Sequence, residues 1–357
     1  MFKYSVNSTC KQIISDRMKK LKGAIFGCGF WSQFQIGGWF ELPEVEIVAL
    51  YNRTLKKAEE KANMFGITNI YDDPLHLLKT HQEIDFVDII TDVNTHLDFV
   101  EMVAKHKKNV ICQKPMAVNL ESAKKMVQVC RDNEVSYFVH ENYRWQPQFR
   151  RVKEIIDSEM IGKPFRCKTG FNTAFPLFKT QPFLTELEQF ALTDQGSHQF
   201  DVLRFLFGEA ESIYCSTQKV NPGIKGEDVA TTLIKMKSGV TCIQEISFSS
   251  MLEHEIFPQT LLLIEGTKGS IRLDPDLILK ITTAEGTITQ NVSLTKYWWQ
   301  TERLTNEPPS IVSCNKNILD DMLGRGKAET TGDDNLKTVE LVFSCYDSAK
   351  LNEVISF

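Results

Sequence analysis

Hydrophobic and polar positions follow one pattern up to about residue 143 and a different pattern after it. In the first part, short apolar runs alternate with stretches in which apolar residues recur every three or four positions. This alternation predicts a doubly wound α/β domain, in which amphipathic helices separate the buried strands of a parallel sheet. The predicted strands are residues 24–26, 45–50, 86–90, 110–112 and 135–139, and the clearest predicted helices are residues 55–65, 95–106 and 120–132.

The second part favours an α+β domain with an open, mainly antiparallel sheet. An amphipathic helix near residues 147–159 precedes stretches in which apolar and polar residues alternate, the period of a strand with one buried face. These stretches are residues 165–171, 229–236, 240–248, 260–265 and 270–273. The predicted organisation is an N-terminal extension over residues 1–20, a dinucleotide-binding domain over residues 21–143, and a substrate-binding and oligomerisation domain over residues 144–357.

Composition restricts the class of protein. A chain of 357 residues is longer than a single hydrophobic core usually allows, so two domains are expected. The chain has 41 basic and 46 acidic residues and a formal net charge of -5, which disfavours a nucleic-acid partner. The nine cysteines are scattered without a C-x-x-C pair, which predicts neither disulfides nor a metal site and favours a reducing cytoplasm. No stretch approaches the roughly 18 apolar residues of a membrane span, so no membrane partner is expected.

A glycine-rich turn follows the first predicted strand and leads into a helix. In Gly27-Cys28-Gly29, the first glycine allows a tight turn, and the second lets the backbone approach a pyrophosphate at the helix N-terminus. An ordinary turn between a strand and a helix is the alternative interpretation. The second predicted strand ends near Asn52 and Arg53, with no carboxylate to bind the adenosine ribose of NAD. The sequence therefore leaves open whether the cofactor is NAD or NADP.

Two later segments carry groups that suit the oxidation of an alcohol. Lys114 follows the predicted strand at 110–112, and Asp194 and His198 stand four residues apart, so one helical face can present both. A nicotinamide takes only the hydride from an alcohol, and the protein must supply the proton acceptor. Taken singly, each residue also has a simpler interpretation as a loop lysine or a residue at a helix start.

Five motifs resemble, in order and spacing, those of the Gfo/Idh/MocA family. They are Gly27-Cys28-Gly29, residues 91–96, Gln113-Lys114-Pro115, residues 141–145 and residues 194–208. The resemblance implies a Rossmann domain joined to an open antiparallel sheet, and an enzyme that oxidises or reduces a hydroxyl of a sugar or cyclitol with NAD(P)(H). The family usually has Glu-Lys-Pro where this chain has Gln113. Glutamine keeps the hydrogen-bonding capacity for the nicotinamide ribose but loses the charge.

The resemblance also assigns the site residues. Lys114, Asp194 and His198 are the expected catalytic residues: His198 as general base, Lys114 as hydrogen-bond donor and proton relay, and Asp194 as the group that orients the imidazole or binds a substrate hydroxyl. The expected cofactor-binding residues are Gly27, Gly29, Phe30, Trp31, Asn52, Arg53, Thr91, Asn94, His96, Gln113, Lys114, Asn142 and Arg144. The expected substrate-binding residues are Lys114, Arg144, Trp145, Phe175, Asp194 and His198.

Aromatic residues bear on the substrate. Phe175 and its neighbours, together with residues 297–299, favour a sugar, cyclitol or glycoside, with an aryl glycoside as a refinement, although a core or interface role explains them equally well. Two other functions stay open: a glycosidase of the same family that oxidises its sugar transiently, and a non-catalytic nucleotide-binding regulator. A sheet covered on one side also predicts a homodimer or homotetramer.

Overall fold

The computed structural model describes residues 20–253, 255, 257–301, 304 and 307–357. The predicted N-terminal extension lies outside the described residues, apart from Lys20. The chain forms two compact units, and each is discontinuous in sequence. Of the described residues, the nucleotide unit contains those from Lys20 to Gln113 together with Lys124–His140 and Cys314–Gly332, and the sheet unit contains those within Lys114–Ala123, Glu141–Ser313 and Asp333–Phe357.

The nucleotide unit is built on a six-stranded parallel sheet of order β3-β2-β1-β4-β5-β6. The strands are β1 Leu21–Phe26, β2 Val45–Tyr51, β3 Asn69–Tyr71, β4 Phe86–Ile89, β5 Asn109–Gln113 and β6 Tyr137–His140. The helices are α1 Ser32–Phe40, α2 Leu55–Phe65, α3 Pro74–Thr80, α4 His96–Lys105 and α5 Leu120–Asp132, of which α5 begins in the sheet unit. This order places the topological switch point between β1 and β4, where such sheets bind nucleotides. The predicted doubly wound sheet is confirmed.

The strands that were predicted from the sequence differ in burial from the strand that was missed. Every residue of β4 and β6 is buried, so both appear in the sequence as continuous apolar runs. The short strand β3 was missed, because its three residues are all half-buried and leave no run or period.

The sheet unit contains nine strands in the order β14-β13-β12-β11-β7-β10-β9-β8-β15. All neighbours are antiparallel except β7 and β10, which run parallel. The strands are β7 Pro164–Asn172, β8 Ala210–Gln218, β9 Val229–Met236, β10 Thr241–Ser247, β11 Leu261–Gly266, β12 Gly269–Asp274, β13 Ile278–Thr283, β14 Gly286–Asn291 and β15 Ile355–Ser356. The open, mainly antiparallel sheet is confirmed.

Helices cover one face of this sheet. They are α6 Pro147–Asp157, the short α7 Leu177–Thr180, α8 Ser197–Phe207 and α10 Gly332–Leu351, while α9 Glu307–Met322 passes from the sheet unit into the nucleotide unit. Apolar residues of α6, α8 and α10 form one core with the inward residues of the strands. No elements were predicted after residue 273, and β14 shows one reason, since its side chains are almost all exposed and give no apolar pattern. Among the described residues, no helix is long and apolar enough to cross a membrane.

Candidate active site

The glycine-rich turn has the conformation that its sequence predicted. Gly27 follows β1 with φ +102°, a region that L-residues rarely adopt, and its amide donates to the Tyr51 carbonyl at 2.8 Å. A Cβ at Gly27 would lie 2.8 Å from the backbone of Ile90, so only glycine fits. A Cβ at Gly29 would meet nothing within 4 Å, so the backbone there faces open space.

The chain's own residues around this turn fit a dinucleotide. Helix α1 begins at Ser32, whose hydroxyl donates to the Gly29 carbonyl at 2.6 Å and fixes the turn against the helix. The Cys28 amide donates to Asn52 Oδ1 at 2.9 Å, so Asn52 ties the turn to the end of β2. A glycine turn at a helix N-terminus, with open space beside the second glycine, is the arrangement that holds a pyrophosphate.

The other predicted cofactor residues of this region occupy different positions. Phe30 is 65% exposed and Arg53 is also exposed, whereas Trp31 is half-buried. After β4, Asn94 is exposed and its Nδ2 donates to Asp92 Oδ1 at 2.7 Å.

His96 is buried, and its Nε2 lies 3.2 Å from the Thr91 carbonyl oxygen. His96 therefore supports the turn that carries Thr91. The sequence pattern did not indicate whether the His96 side chain would be buried or exposed.

Lys114 and Asp194 are brought together in the sheet unit although 80 residues separate them. The Lys114 ammonium donates to Asp194 Oδ1 at 3.0 Å and to the Asp194 carbonyl at 3.1 Å. Both side chains are partly exposed, at 18% and 24%. Asp194 Oδ2 has no hydrogen-bond partner among the described residues. The pair thus offers a fixed cation and a carboxylate oxygen to a bound hydroxyl.

The His198 imidazole is held by Glu141, a residue to which the sequence analysis assigned no role. Nδ1 of His198 lies 2.6 Å from Glu141 Oε1, and both side chains are buried. The Tyr143 ring stacks on the imidazole at a centroid distance of 3.7 Å and 9° between planes. Nε2 of His198 has no partner in the described part of the chain. In this structure the partner of Nδ1 is Glu141, and Asp194 is bonded to Lys114, which favours the alternative prediction that Asp194 binds a substrate hydroxyl.

Burial shifts the pKa values of this pair in opposite directions. Burial raises the pKa of Glu141 to about 7. Burial, followed by the nearby Lys114 charge, lowers the pKa of His198 well below its usual 6.5. The imidazole is therefore neutral at physiological pH, as a proton acceptor must be.

The segment carrying Asp194 departs from the single helix that was predicted to present Asp194 and His198 on one face. Leu192–Gly196 forms a π-helical turn, in which the Ser197 amide bonds to the carbonyl of Leu192 five residues earlier. Glu227 holds its start: the carboxylate accepts from the amides of Phe190 at 3.2 Å and Leu192 at 2.9 Å. Such π turns occur frequently at functional sites.

A small cavity lies beside these groups within the sheet unit. It has a volume of about 20 Å³, and Lys114, Glu141, Thr193 and Ser197 contribute polar groups to its lining. This volume is large enough for one water molecule with several polar partners.

Arg144 occupies a buried ion cluster. Its guanidinium donates to both carboxylate oxygens of Asp201, at 2.7 and 2.5 Å, and to Asp334 at 2.9 Å. Arg204 donates to the other oxygen of Asp334 at 2.9 Å. Two carboxylates thus engage the guanidinium that we had expected to bind cofactor and substrate, so the structure favours a structural role.

The remaining predicted residues also have partners within the sheet unit. Asn142 is buried and its Nδ2 donates to Ser310 Oγ at 2.6 Å. The Arg150 guanidinium lies 3.8 Å above the Trp145 ring. Phe175 is partly buried against the core and stacks on Phe257 at a centroid distance of 4.6 Å.

The fold and these groups define a class of protein: a dinucleotide-binding unit with a Rossmann strand order, joined to a sheet unit that carries a neutral histidine and a lysine-aspartate pair. A model of the oxidoreductase family with an NAD-binding Rossmann fold matches residues 21–141, and a model of the GFO/IDH/MocA C-terminal domain matches residues 149–272. The chain belongs to the Gfo/Idh/MocA family of oxidoreductases, as the motif resemblance implied.

Similar proteins include two named for the same sugar. The D-apiose dehydrogenase of Rhizobium rhizogenes is 39% identical over 332 residues, which cover 93% of this chain and 96% of that protein. The D-apiose dehydrogenase of Paraburkholderia graminis is 37% identical over 333 residues, covering 93% and 88%. A crystal structure of an oxidoreductase from Agrobacterium radiobacter, in complex with NAD+, L-tartaric acid and magnesium, has a TM-score of 0.91 at 38% identity and covers 94% of this chain and 98% of that one.

Proposed function

We propose that this protein is an NAD(P)-dependent dehydrogenase that transfers a hydride between the nicotinamide and a hydroxyl of a sugar, with D-apiose or a similar aldose as substrate. The observation that carries the proposal is the His198 imidazole, held at Nδ1 by Glu141 with Nε2 unoccupied, next to the Lys114–Asp194 pair in one unit. Family membership and the two D-apiose dehydrogenases support the reaction class and the substrate.

The chain's residues divide the work of alcohol oxidation between them. Nε2 of His198 accepts the hydroxyl proton, while Nδ1 donates to the Glu141 carboxylate, which stabilises the imidazolium that forms. The Lys114 ammonium donates a hydrogen bond to the reacting oxygen as negative charge develops on it. Asp194 Oδ2 accepts from a neighbouring hydroxyl and orients the sugar. When bound, the nicotinamide supplies the hydride acceptor.

Residues of the nucleotide unit would hold that cofactor. The turn around Gly27 and Gly29 would receive the pyrophosphate at the N-terminus of α1, and Gln113, at the end of β5, would hydrogen-bond the nicotinamide ribose. Arg53 is exposed after β2, and its position is compatible with the adenosine ribose of NAD and with the 2′-phosphorylated ribose of NADP. We therefore keep both NAD and NADP as candidate cofactors.

The test is a panel of sugars, cyclitols and glycosides that includes D-apiose, followed at the nicotinamide absorbance with NAD+ and NADP+ in parallel. His198→Ala should lower kcat by roughly 10²- to 10⁴-fold with cofactor affinity nearly intact. His76→Ala, which removes an exposed imidazole of the nucleotide unit, is the matched control and should keep wild-type kcat. Wild-type kcat in His198→Ala would contradict the role of His198. Sugar release from a glycoside without net cofactor reduction would indicate the glycosidase instead.

We also propose that the protein forms a homo-oligomer in the cytoplasm. The sheet face opposite the core carries exposed apolar side chains such as Tyr214 and Leu233 among its ion pairs, which favours self-association. The eight described cysteines are free and buried, which supports a reducing compartment. Light scattering at micromolar concentration should give the mass of a dimer or tetramer, and a monomer mass would contradict the assembly.

A further inference from the structure

One residue of the sheet unit holds the first amides of the helical segment that carries Asp194. Glu227 lies two residues before β9 and is buried. Its Oε2 accepts from the Phe190 amide at 3.2 Å, its main-chain carbonyl accepts from the Ala191 amide at 3.2 Å, and its Oε1 accepts from the Leu192 amide at 2.9 Å. Amides at the start of a helix have no partner within the helix, so these three bonds fix where the segment begins.

The Glu227 carboxylate is itself held by helix α10. The hydroxyl of Tyr346, on that helix, donates to Glu227 Oε1 at 2.7 Å. Apolar residues of α10 and β9 belong to the core of the sheet unit, and Tyr346 packs against that core. The carboxylate that holds the helix start is therefore connected to two elements of the core.

The core fixes the other end of the same segment. Helix α8 begins at Ser197, and its Phe200 and Leu203 side chains are buried in the core. Between these two fixed ends the chain has one residue more than an α-helix would contain, because the Ser197 amide donates to the Leu192 carbonyl five residues earlier. The π-helical turn accommodates that additional residue.

The Ser197 hydroxyl replaces a hydrogen bond that the π-helical turn removes. In an α-helix the Ser197 amide would donate to the Thr193 carbonyl four residues earlier. Because this amide bonds to Leu192, the Thr193 carbonyl accepts instead from the Ser197 hydroxyl at 3.0 Å. The Asp194 carbonyl accepts from the same hydroxyl at 3.3 Å and from Lys114 Nζ at 3.1 Å. Lys114 thus bonds to the main chain of the turn as well as to the Asp194 carboxylate, so the geometry of the pair depends on the turn.

We propose that Glu227 and Ser197 are positioning residues that maintain the π-helical turn and so keep the Asp194 carboxylate on the Lys114 ammonium. This inference rests on the proposed function, in which Asp194 orients the sugar. Without the Glu227 carboxylate, the additional residue can shift to the start of the helix, and the segment rewinds as an α-helix. The residues before the turn then rotate by about 100° and move by about 1.5 Å, and Asp194, within the turn, is displaced with them.

The first experiment is a double-mutant cycle on kcat/KM with Glu227→Ala, Asp194→Asn and the two combined. Glu227→Ala should lower kcat/KM for the sugar by roughly 10²-fold, the usual effect of displacing a positioning group by about 1 Å, with an unchanged dissociation constant for the cofactor. In the Asp194→Asn background the same substitution should lower kcat/KM much less, because the carboxylate that it displaces is already lost. Ser197→Ala, a smaller change, should lower kcat/KM in the same way and decides the question if Glu227→Ala does not fold.

Asp228→Asn is the matched control for the loss of a buried carboxylate. Asp228 follows Glu227 directly, is fully buried, and accepts from the amides of Val220 at 2.7 Å and Asn221 at 3.0 Å, which lie outside the turn. This variant should lose stability in urea but keep the wild-type kcat/KM.

Hydrogen exchange followed by mass spectrometry gives a measurement that does not require activity. Glu227→Ala should speed exchange of the amides of residues 190–197 by a factor of roughly 5 to 150, the usual effect of removing the partner of a buried polar group, and Asp228→Asn should leave them unchanged.

Additive losses of kcat/KM in the double-mutant cycle would overturn the proposal. Unchanged exchange of residues 190–197 in Glu227→Ala, or wild-type kcat/KM in Ser197→Ala, would also overturn it. A wild-type protein that oxidises none of the sugars would instead overturn the proposed function, and the exchange at the turn distinguishes the two cases.

Discussion

Replacing Glu141 by glutamine removes a negative charge 2.6 Å from Nδ1 of His198 while keeping an oxygen that can accept the same proton. The two residues lie 57 positions apart and are both buried, so solvent does not screen their interaction. The substitution therefore isolates the charge of Glu141 from its shape and from its hydrogen bond to the Tyr143 amide.

The expected magnitude follows from the change in hydrogen-bond type. A hydrogen bond to a charged group contributes about 1.5–3 kcal/mol, and a neutral one about 0.5–1.5 kcal/mol. Because the imidazolium exists only once the proton has moved, the difference of about 1–2 kcal/mol acts on the transition state. Glu141→Gln should thus lower kcat by roughly 5- to 30-fold with little change in KM. Glu141→Ala should lower kcat further, because Nδ1 and the Tyr143 amide both lose their acceptor.

The pH profile identifies the titrating group. Burial raises the pKa of Glu141 to about 7, so below that pH the protonated carboxyl donates to Nδ1 of His198 and the ring proton moves to Nε2. Nε2 then has no lone pair to accept the substrate proton. In the wild-type protein kcat should fall as the pH falls through about 7, since the pKa of His198 lies well below 6.5 and contributes only at lower pH. Glutamine does not titrate, so the Glu141→Gln profile should be low and flat over this range.

The assay measures kcat and KM at the nicotinamide absorbance from about pH 5.5 to 9 with the best sugar found. Glu211→Gln is the control, because the Glu211 side chain is 47% exposed and forms a surface ion pair with Lys235. If Glu141→Gln retains the wild-type kcat and the fall in rate near pH 7, another group controls the proton acceptor and the reasoning is refuted.

Three further predictions test other parts of the structure. Gly27→Ala should reduce the free energy of unfolding by about 1–3 kcal/mol in urea titrations, because φ is +102° and its Cβ would contact the backbone after β4. Gly29→Ala should fold normally and weaken NAD+ binding. Equal stability of the two variants would refute the assigned turn. Arg144→Met should cost about 3–5 kcal/mol of stability by leaving the buried Asp201 without its partner, and a loss of cofactor affinity without any loss of stability would restore the predicted binding role. Lys114→Met should lower kcat by roughly 10²- to 10³-fold, the usual effect of removing one donor to a developing oxyanion, and unchanged kcat would exclude it from the reaction.

The amino-acid sequence alone determined the architecture and the nucleotide turn. Strands buried on both faces, such as β4, appear as continuous apolar runs, and half-buried strands such as β9 alternate, so local pattern is sufficient to predict both. The positive φ of Gly27 was also predictable, because few residues other than glycine adopt that conformation readily. The grouping of Lys114 with Asp194 came from motif resemblance, and the structure places them 3.0 Å apart.

Only the tertiary structure decided which groups act on one another. Glu141 holds His198, and Gln35 bonds to both Asp88 and Gln113; neither partnership follows from a periodicity or a spacing. The carboxylate of Asp88 appears in the sequence as an interruption of an apolar run, with nothing to indicate its donors on α1. Local preferences extend over a few residues of one helix or strand, whereas these hydrogen bonds join elements that meet only when the core closes. Their direction is then set by burial, because a buried polar group without a partner costs more free energy than most single contacts contribute.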